Sequence, residues 1–228
     1  MTYIVIGLGN FGIALAERLT KMGHDVIGVD ADMQLVEKYK TTISSTICVN
    51  LSDSFSLKAL PLKDADEVIV TLGENIGQSI LIIALLKQCG TEHIVARGIS
   101  NVHKTILETM GVDDVIMPEL YAAEQLAIAS ESTSIKGAFI ATDTDQLIDY
   151  IVPNILIDQT LQQADIENQY NLKLVGVKRR IESKNFLQSK SYHYEMAVLD
   201  NNFIFQQYDQ LLLFGNLKSL SRFEHQVK

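Results

Sequence analysis

Residues 3–19 read YIVIGLGNFGIALAERL. A short β-branched apolar run comes first. Gly7, Gly9 and Gly12 follow as G-x-G-x-x-G, and Ile13, Leu15, Ala16 and Leu19 then recur at helical spacing. A strand before and a helix after are what give such a motif its meaning. Gly7 allows the tight turn out of the strand. Gly9 has no Cβ, so a pyrophosphate can approach the backbone. Gly12 lets the helix lie close on the strand, and the helix N-terminus offers N–H groups and a partial positive charge. The stretch predicts a phosphate site of the dinucleotide-binding type.

The same grammar repeats. Apolar, β-branched strands are predicted at 3–6, 25–29, 45–49, 67–70, 93–96 and 113–117, buried on both faces as in a parallel sheet. Helical segments separate them. Met22-Gly23, Cys89-Gly90 and Met110-Gly111 each place glycine where a helix turns left-handed at its end. Asn75 and Gln78 have the spacing of a capping box. Alternating units of this kind specify an α/β fold, a Rossmann-like doubly wound parallel sheet.

After Pro118 the pattern changes. One apolar-rich helix is predicted over 119–131, then a polar linker at 130–134. Beyond it come strands at 138–141, 147–152, 172–177, 196–199, 203–205 and 211–214, with a helix near 160–168. These predict a smaller α+β domain. The expected division is 1–132 and 133–228.

Composition narrows the function. With 28 acidic and 19 basic residues the net charge is −9, which disfavours nucleic acid as a partner. The one basic run is Lys178-Arg179-Arg180. Two distant cysteines, Cys48 and Cys89, make neither a disulfide framework nor a zinc pattern. No signal peptide is read at the N-terminus. The most apolar run, 79–86, falls short of the ~20 residues that span a bilayer, so a soluble protein is expected.

Other candidate residues follow from position. In an open parallel sheet, ligands gather at the carboxyl ends of the strands. Asp30 ends the second strand, where an acid holds ribose hydroxyls and disfavours a 2′-phosphate. Asn50, Thr71-Leu72-Gly73, Arg97 and Glu119 follow the next four strands, and Asn75 opens a helix. The expected nucleotide-binding set is Gly7, Gly9, Asn10, Phe11, Gly12, Asp30, Asp32, Asn50, Leu51, Thr71, Leu72, Gly73, Asn75 and Arg97. Arg97 has two readings: a bidentate phosphate ligand or a surface arginine paired to an acid. Glu119 also has two. It helps bind a metal that bridges nucleotide phosphates, or it is a carboxylate favoured by the first turn of a helix.

A dehydrogenase needs a proton donor beside its nicotinamide. His24 and His93 fall at the amino ends of strands, the wrong edge. His103 is on a helix, and His193 and His225 lie far downstream. Tyr121, Tyr150 and Lys178 are no better supported. The alternative of an NAD-dependent oxidoreductase therefore has no recognisable acid–base machinery, and no enzyme is expected.

Across nearly its whole length the chain resembles the cytosolic regulatory subunits of Trk/Ktr-type bacterial potassium uptake systems, built of an RCK (or KTN) N-terminal domain and an RCK C-terminal domain. The resemblance rests on VIGLGNFG, GHDVIGVDAD, ADEVIVTLGENIGQSI and IVARGISNVHKTILETMGVDDVIMPE. The tail sequences LKLVGVKRR and YDQLLLFGNLKSLSRF are similar to the family's C-terminal strands. It implies an adenine nucleotide ligand (ATP, ADP, NAD or NADH) and a Mg2+ or Ca2+ ion held at Glu119. It implies dimers through the crossover helix, an octameric ring, and docking on a membrane ion-translocating subunit at the inner face of the cell membrane, from the cytoplasm. Nucleotide exchange would then change ring shape and gate the transporter. Many members carry arginine in the glycine loop, where it reaches the terminal phosphate of ATP. This chain has Asn10, which favours ADP or NAD(H). Some members bind cyclic di-AMP in the C-terminal domain; the polar segment 183–194 matches that site poorly, and Lys178-Arg179-Arg180 reads as a solvated strand end.

Overall fold

The computed structural model describes residues 1–51, 53–73, 75–142, 144–184 and 190–227. It divides into two compact units, Met1–Leu120 and Tyr121–Lys228.

The first unit alternates strand and helix: β1 (Thr2–Ile6), α1 (Asn10–Lys21), β2 (Asp25–Asp30), α2 (Met33–Tyr39), β3 (Ser45–Cys48), α3 (Ser54–Lys58), β4 (Glu67–Val70), α4 (Ile76–Gln88), β5 (Ile94–Arg97), α5 (Asn101–Thr109), β6 (Asp114–Ile116) and the start of α6 (Pro118–Glu131). The sheet order is β3-β2-β1-β4-β5-β6, all parallel. This is the Rossmann-like doubly wound sheet, and the strand order reverses between β1 and β4.

Burial on both faces explains the strand composition. Val5 and Val26 enter one core with Leu8, Ile13 and Ala16 of the α1 side. Ile4, Ile6 and Val29 enter the other, with Val70, Ile82, Ile83 and Leu86. The three glycine stops hold: Gly23, Gly90 and Gly111 have φ of 88°, 79° and 75°, and the backbone N–H of the preceding residue bonds into the last helical turn each time.

The second unit holds most of α6, then β7 (Ile135–Ile140), β8 (Asp145–Ile151), a 3₁₀ turn (Asn154–Leu156), α7 (Leu161–Ala164), α8 (Ile166–Tyr170), β9 (Lys173–Lys184), β10 (Lys190–Met196), β11 (Gln210–Asn216) and α9 (Leu217–Val227). Its sheet is antiparallel, in the order β10-β9-β11-β8-β7. Tyr150, Tyr170 and Phe223 meet edge-on in its core. Ile128 of α6 packs against this core, which is why the compact units part at Leu120 rather than after the helix.

Several expectations for this half are corrected. The linker at 130–134 is shorter than expected, 132–134: α6 runs to Glu131 and β7 starts at Ile135, with Ser132 buried between. The single helix near 160–168 is two short ones, broken at Asp165, whose φ is 35°. Residues 196–199 and 203–205 form no paired strands beyond Met196 at the end of β10 and one bridge from Ile204 to Thr160. The tail after Asn216 is helical, because Leu220, Phe223 and Val227 bury at spacings of three and four. Lys178-Arg179-Arg180 is not a solvated strand end. It sits in the middle of β9, where Lys178 pairs with Asp149 and Arg179 with the buried Asp209. Arg180 lies between the rings of Tyr192 and Tyr208. The poorly matched segment 183–194 is part of the β9–β10 pairing, apart from residues 185–189, which lie outside the described residues.

Candidate nucleotide-binding site

The glycine loop leaves β1 and turns back through Gly7, whose φ is 102°. Its N–H donates to the Val29 carbonyl at 2.8 Å, tying the turn to β2. A Cβ at Gly12 would stand 1.9 Å from the Gly7 carbonyl oxygen and 2.6 Å from the Thr71 hydroxyl. Close approach of helix to strand thus requires glycine there. A Cβ at Gly9 would meet nothing within 4 Å. Gly9 therefore faces open space, and among the described residues nothing demands a glycine at that point.

Gly9 is also the N-cap of α1 and provides no side-chain cap, and the first turn carries no acid. By contrast Asp32, Asp53, Asn75 and Ser100 cap α2, α3, α4 and α5 with side-chain hydrogen bonds. The α1 N-terminus keeps its N–H groups and its partial charge for an anion.

Two neighbours hold the loop in shape. The Thr71 hydroxyl donates to the Gly7 carbonyl at 2.6 Å, with the Ile6 carbonyl a second acceptor at 3.0 Å. Asp30 accepts the Leu8 N–H at 2.6 Å on one carboxylate oxygen and the Asp32 N–H at 2.9 Å on the other. Each oxygen accepts two hydrogen bonds when ionised, so Asp30 braces the loop and retains capacity for a hydroxyl donor.

The cavity formed here has a volume of about 520 Å³ and is lined by Gly7, Gly9, Asn10, Phe11, Asp30, Leu35, Thr71, Leu72, Gly73, Asn75, Gln78, Arg97 and Glu119. That size suits a small-molecule ligand. It lies at the carboxyl ends of the strands, where the sheet order reverses. The structure thus brings together Gly7, Gly9, Asn10, Phe11, Asp30, Thr71, Leu72, Gly73, Asn75, Arg97 and Glu119. Gly12 is buried beneath the loop. Asp32 caps α2 and Asn50 is exposed beyond β3; neither lines the cavity. Leu51 is only 2% exposed and belongs to the core, so its side chain is unavailable to a ligand.

Leu35 and Gln78 were not among the expected residues. Leu35, on α2 just past Asp30, adds an apolar wall. Gln78 follows Asn75 by three residues, the spacing of a capping box. Asn75 does accept the Gln78 N–H, at 3.1 Å, but the reciprocal bond is absent from the cap and Gln78 lines the cavity instead.

Arg97 ends β5 and lies against Gly73, where a Cβ would be 2.5 Å from its Nη1. Its guanidinium carbon stands 5.8 Å from the centre of the Phe11 ring. Its Nη2 donates to Glu119 Oε1 in an ion pair, while its buried Nε has no hydrogen-bond partner among the described residues. Of the two readings of Arg97, the pairing with an acid is the one present in the structure. Among the described residues no group of three or more His, Cys, Asp or Glu is arranged to hold a metal. A divalent ion would have to displace Arg97 to reach the Glu119 oxygen it now holds. His103 lies elsewhere, buried on α5, and burial lowers its pKa below the usual 6.5.

Fold and site define a Rossmann-like domain with a glycine-loop cavity at its switch point, followed by a second, antiparallel domain. The chain belongs to the TrkA-N domain family, whose sequence profile matches residues 3–118. It is 30% identical over 225 residues to the Ktr system potassium uptake protein C of Bacillus subtilis (strain 168), covering 99% of this chain and 96% of that one. Among solved structures it is similar to the RCK domain of GsuK, with a TM-score of 0.66, 15% identity and 99% of this chain covered. It is also similar to the GsuK channel bound to NAD, with a TM-score of 0.65, 15% identity and 100% of this chain covered. The chain spans 47% and 39% of those two chains. At that identity the likeness to GsuK establishes the fold. Among the described residues no helix is long and apolar enough to cross a membrane.

Proposed function

We propose that this chain is a nucleotide-sensing regulatory subunit that gates a membrane potassium, or other monovalent cation, transporter. The observation that carries the reading is the cavity at the α1 N-terminus. There an uncapped helix end, the space at Gly9 and the unpartnered Nε of Arg97 together suit an anionic phosphate. The loop backbone and Arg97 would hold phosphates. Asp30 would hold the ribose, and Leu35 supplies apolar surface for a base.

The family relationship supports the rest. A relative matching along almost its entire length is a potassium uptake system component, and a channel sharing the fold is bound to NAD. The described lining residues include no histidine, cysteine, lysine or tyrosine, which supports a ligand that is read rather than reacted. An adenine nucleotide, ADP or NAD(H) before ATP because of Asn10, is the proposed ligand. The proposed mechanism is a population shift: nucleotides move the assembly only by their differential affinity for its shapes. Leu120, Tyr121 and Leu126 are exposed on α6, in keeping with dimerisation through that helix in a larger ring docked on a membrane subunit.

The test begins with the nucleotide retained by the purified protein, followed by calorimetric titration with ADP and NADH. Asp30→Ala should weaken binding at least tenfold, a loss of ~1.4 kcal/mol or more. Unchanged affinity would place the ligand elsewhere.

A further inference from the structure

This inference rests on the nucleotide reading above and concerns what Glu119 does in that site. The resemblance assigns Glu119 to a divalent cation, whereas in the structure its carboxylate accepts from Arg97. We propose that Glu119 is a built-in competitor of the ligand's phosphate: it occupies the Arg97 guanidinium until nucleotide displaces it, so that binding needs no bridging metal ion.

Three observations carry this. First, Arg97 is held in place from below. Its head lies against the Cβ-less face of Gly73 and near the Phe11 ring, and its side chain is 20% exposed. The guanidinium is thus a fixed receptor rather than a swinging surface charge. Second, its donors are incompletely used. Nη2 is taken by Glu119, but among the described residues the buried Nε has no partner. A buried donor left unmet is costly, and the planar guanidinium can offer two donors at once to two oxygens of a phosphate. Third, Glu119 is the loosely held member. Its side chain is 63% exposed, and a carboxylate so solvated gains little from an ion pair.

Asp30, the other carboxylate of the described lining, is committed to two backbone N–H groups and does not compete. Arg97 is the one cationic side chain among the described lining residues. The phosphate and Glu119 therefore contend for the same positive charge. Neutralising Glu119 frees that charge and also removes a negative one from the cavity wall.

The two assignments of Glu119 differ in sign. A metal-bridging glutamate, once lost, weakens binding; a competing glutamate, once lost, strengthens it. ADP is titrated into the full chain by calorimetry, with EDTA and separately with magnesium. The variants are Glu119→Gln, Glu119→Ala, Arg97→Ala and the double change Arg97→Ala/Glu119→Gln, each checked by thermal melting.

In EDTA, both Glu119 variants should bind ADP roughly two- to fivefold more tightly than the parent, and the parent's own affinity should be the same with magnesium. Arg97→Ala should bind at least roughly tenfold more weakly, and because Glu119→Gln then frees no guanidinium, the double variant should still bind more weakly than the parent. Weaker or unchanged ADP binding in the Glu119 variants overturns the proposal, as does parent binding that requires magnesium. Failure of the parent to bind ADP or NADH under either condition is a different result. It refutes the nucleotide reading itself, and this inference with it.

Discussion

The glycine loop makes two kinds of demand on its residues, and two single alanines separate them. At Gly12 an added Cβ would lie 1.9 Å from the Gly7 carbonyl oxygen, 3.0 Å from its carbonyl carbon and 2.6 Å from the Thr71 hydroxyl. Two of those three atoms are backbone, so α1 has to move off β1. Overpacking of this kind costs ~1–3 kcal/mol. For a unit of this size that lowers the melting temperature by roughly 3–15 °C.

At Gly9 the added Cβ meets nothing within 4 Å, and the backbone, at φ −65° and ψ −177°, suits any residue. Alanine there should change melting little, because the ~0.4–1 kcal/mol from a narrower unfolded ensemble is offset by alanine's poorer fit at a helix N-cap. Its methyl group would nevertheless occupy the space through which a phosphate reaches the loop. ADP or NADH affinity should therefore fall at least roughly tenfold. Paired calorimetric melts and titrations read both quantities. A Gly12→Ala protein of undiminished stability would refute the close approach of α1 to β1. A Gly9→Ala protein that binds as well as its parent would refute the placement of phosphate on the loop.

Two further outcomes follow from the cores. His103 is 1% exposed with neither ring nitrogen hydrogen-bonded, and burial depresses its pKa. The unfolded chain takes up a proton below about pH 6.5 more readily than the fold does. The His103 contribution to stability is thus intact above that pH and declines as pH falls, by at most ~1.4 kcal/mol per unit. Melting followed from pH 7.5 to 5 should decline more steeply in the parent than in His103→Gln; equal slopes would count against a buried neutral imidazole. In the second unit, Phe223 is fully buried against the edges of Tyr150 and Tyr170. Phe223→Ala should remove ~3–5 kcal/mol, seen as a lower denaturation midpoint for that unit, and an unmoved midpoint would contradict the helical packing of the tail.

Much of the first unit was legible because its signals are local. A buried parallel strand must be apolar on both faces, and a helix stop at positive φ favours glycine. The strand at 67–70 and the glycine stops at 23, 90 and 111 follow from those rules. The second unit was less legible because its strands depend on partners. Residues 190–196, KSYHYEM, alternate Tyr192, Tyr194 and Met196 with polar residues, but these side chains stay exposed rather than marking a core face, and the strand is defined by its pairing along its whole length with β9. The tail after Asn216 follows its strand with no intervening loop, and its helical period lies in which of its positions are buried.

The site divides along the same line. The sequence alone determined that a strand, a glycine loop and a helix meet, that an acid ends the next strand, and that small or polar residues follow the others. Each of these is a property of neighbours along the chain. Only the tertiary structure decided how those residues spend their hydrogen bonds. It turned Thr71 under the loop, moved Leu51 into the core, brought in Leu35 and Gln78, and set Arg97 against Glu119. A hydrogen bond or ion pair depends on distance in space, and residues 64 or 22 positions apart acquire that distance only when the parallel sheet gathers the ends of its strands along one edge.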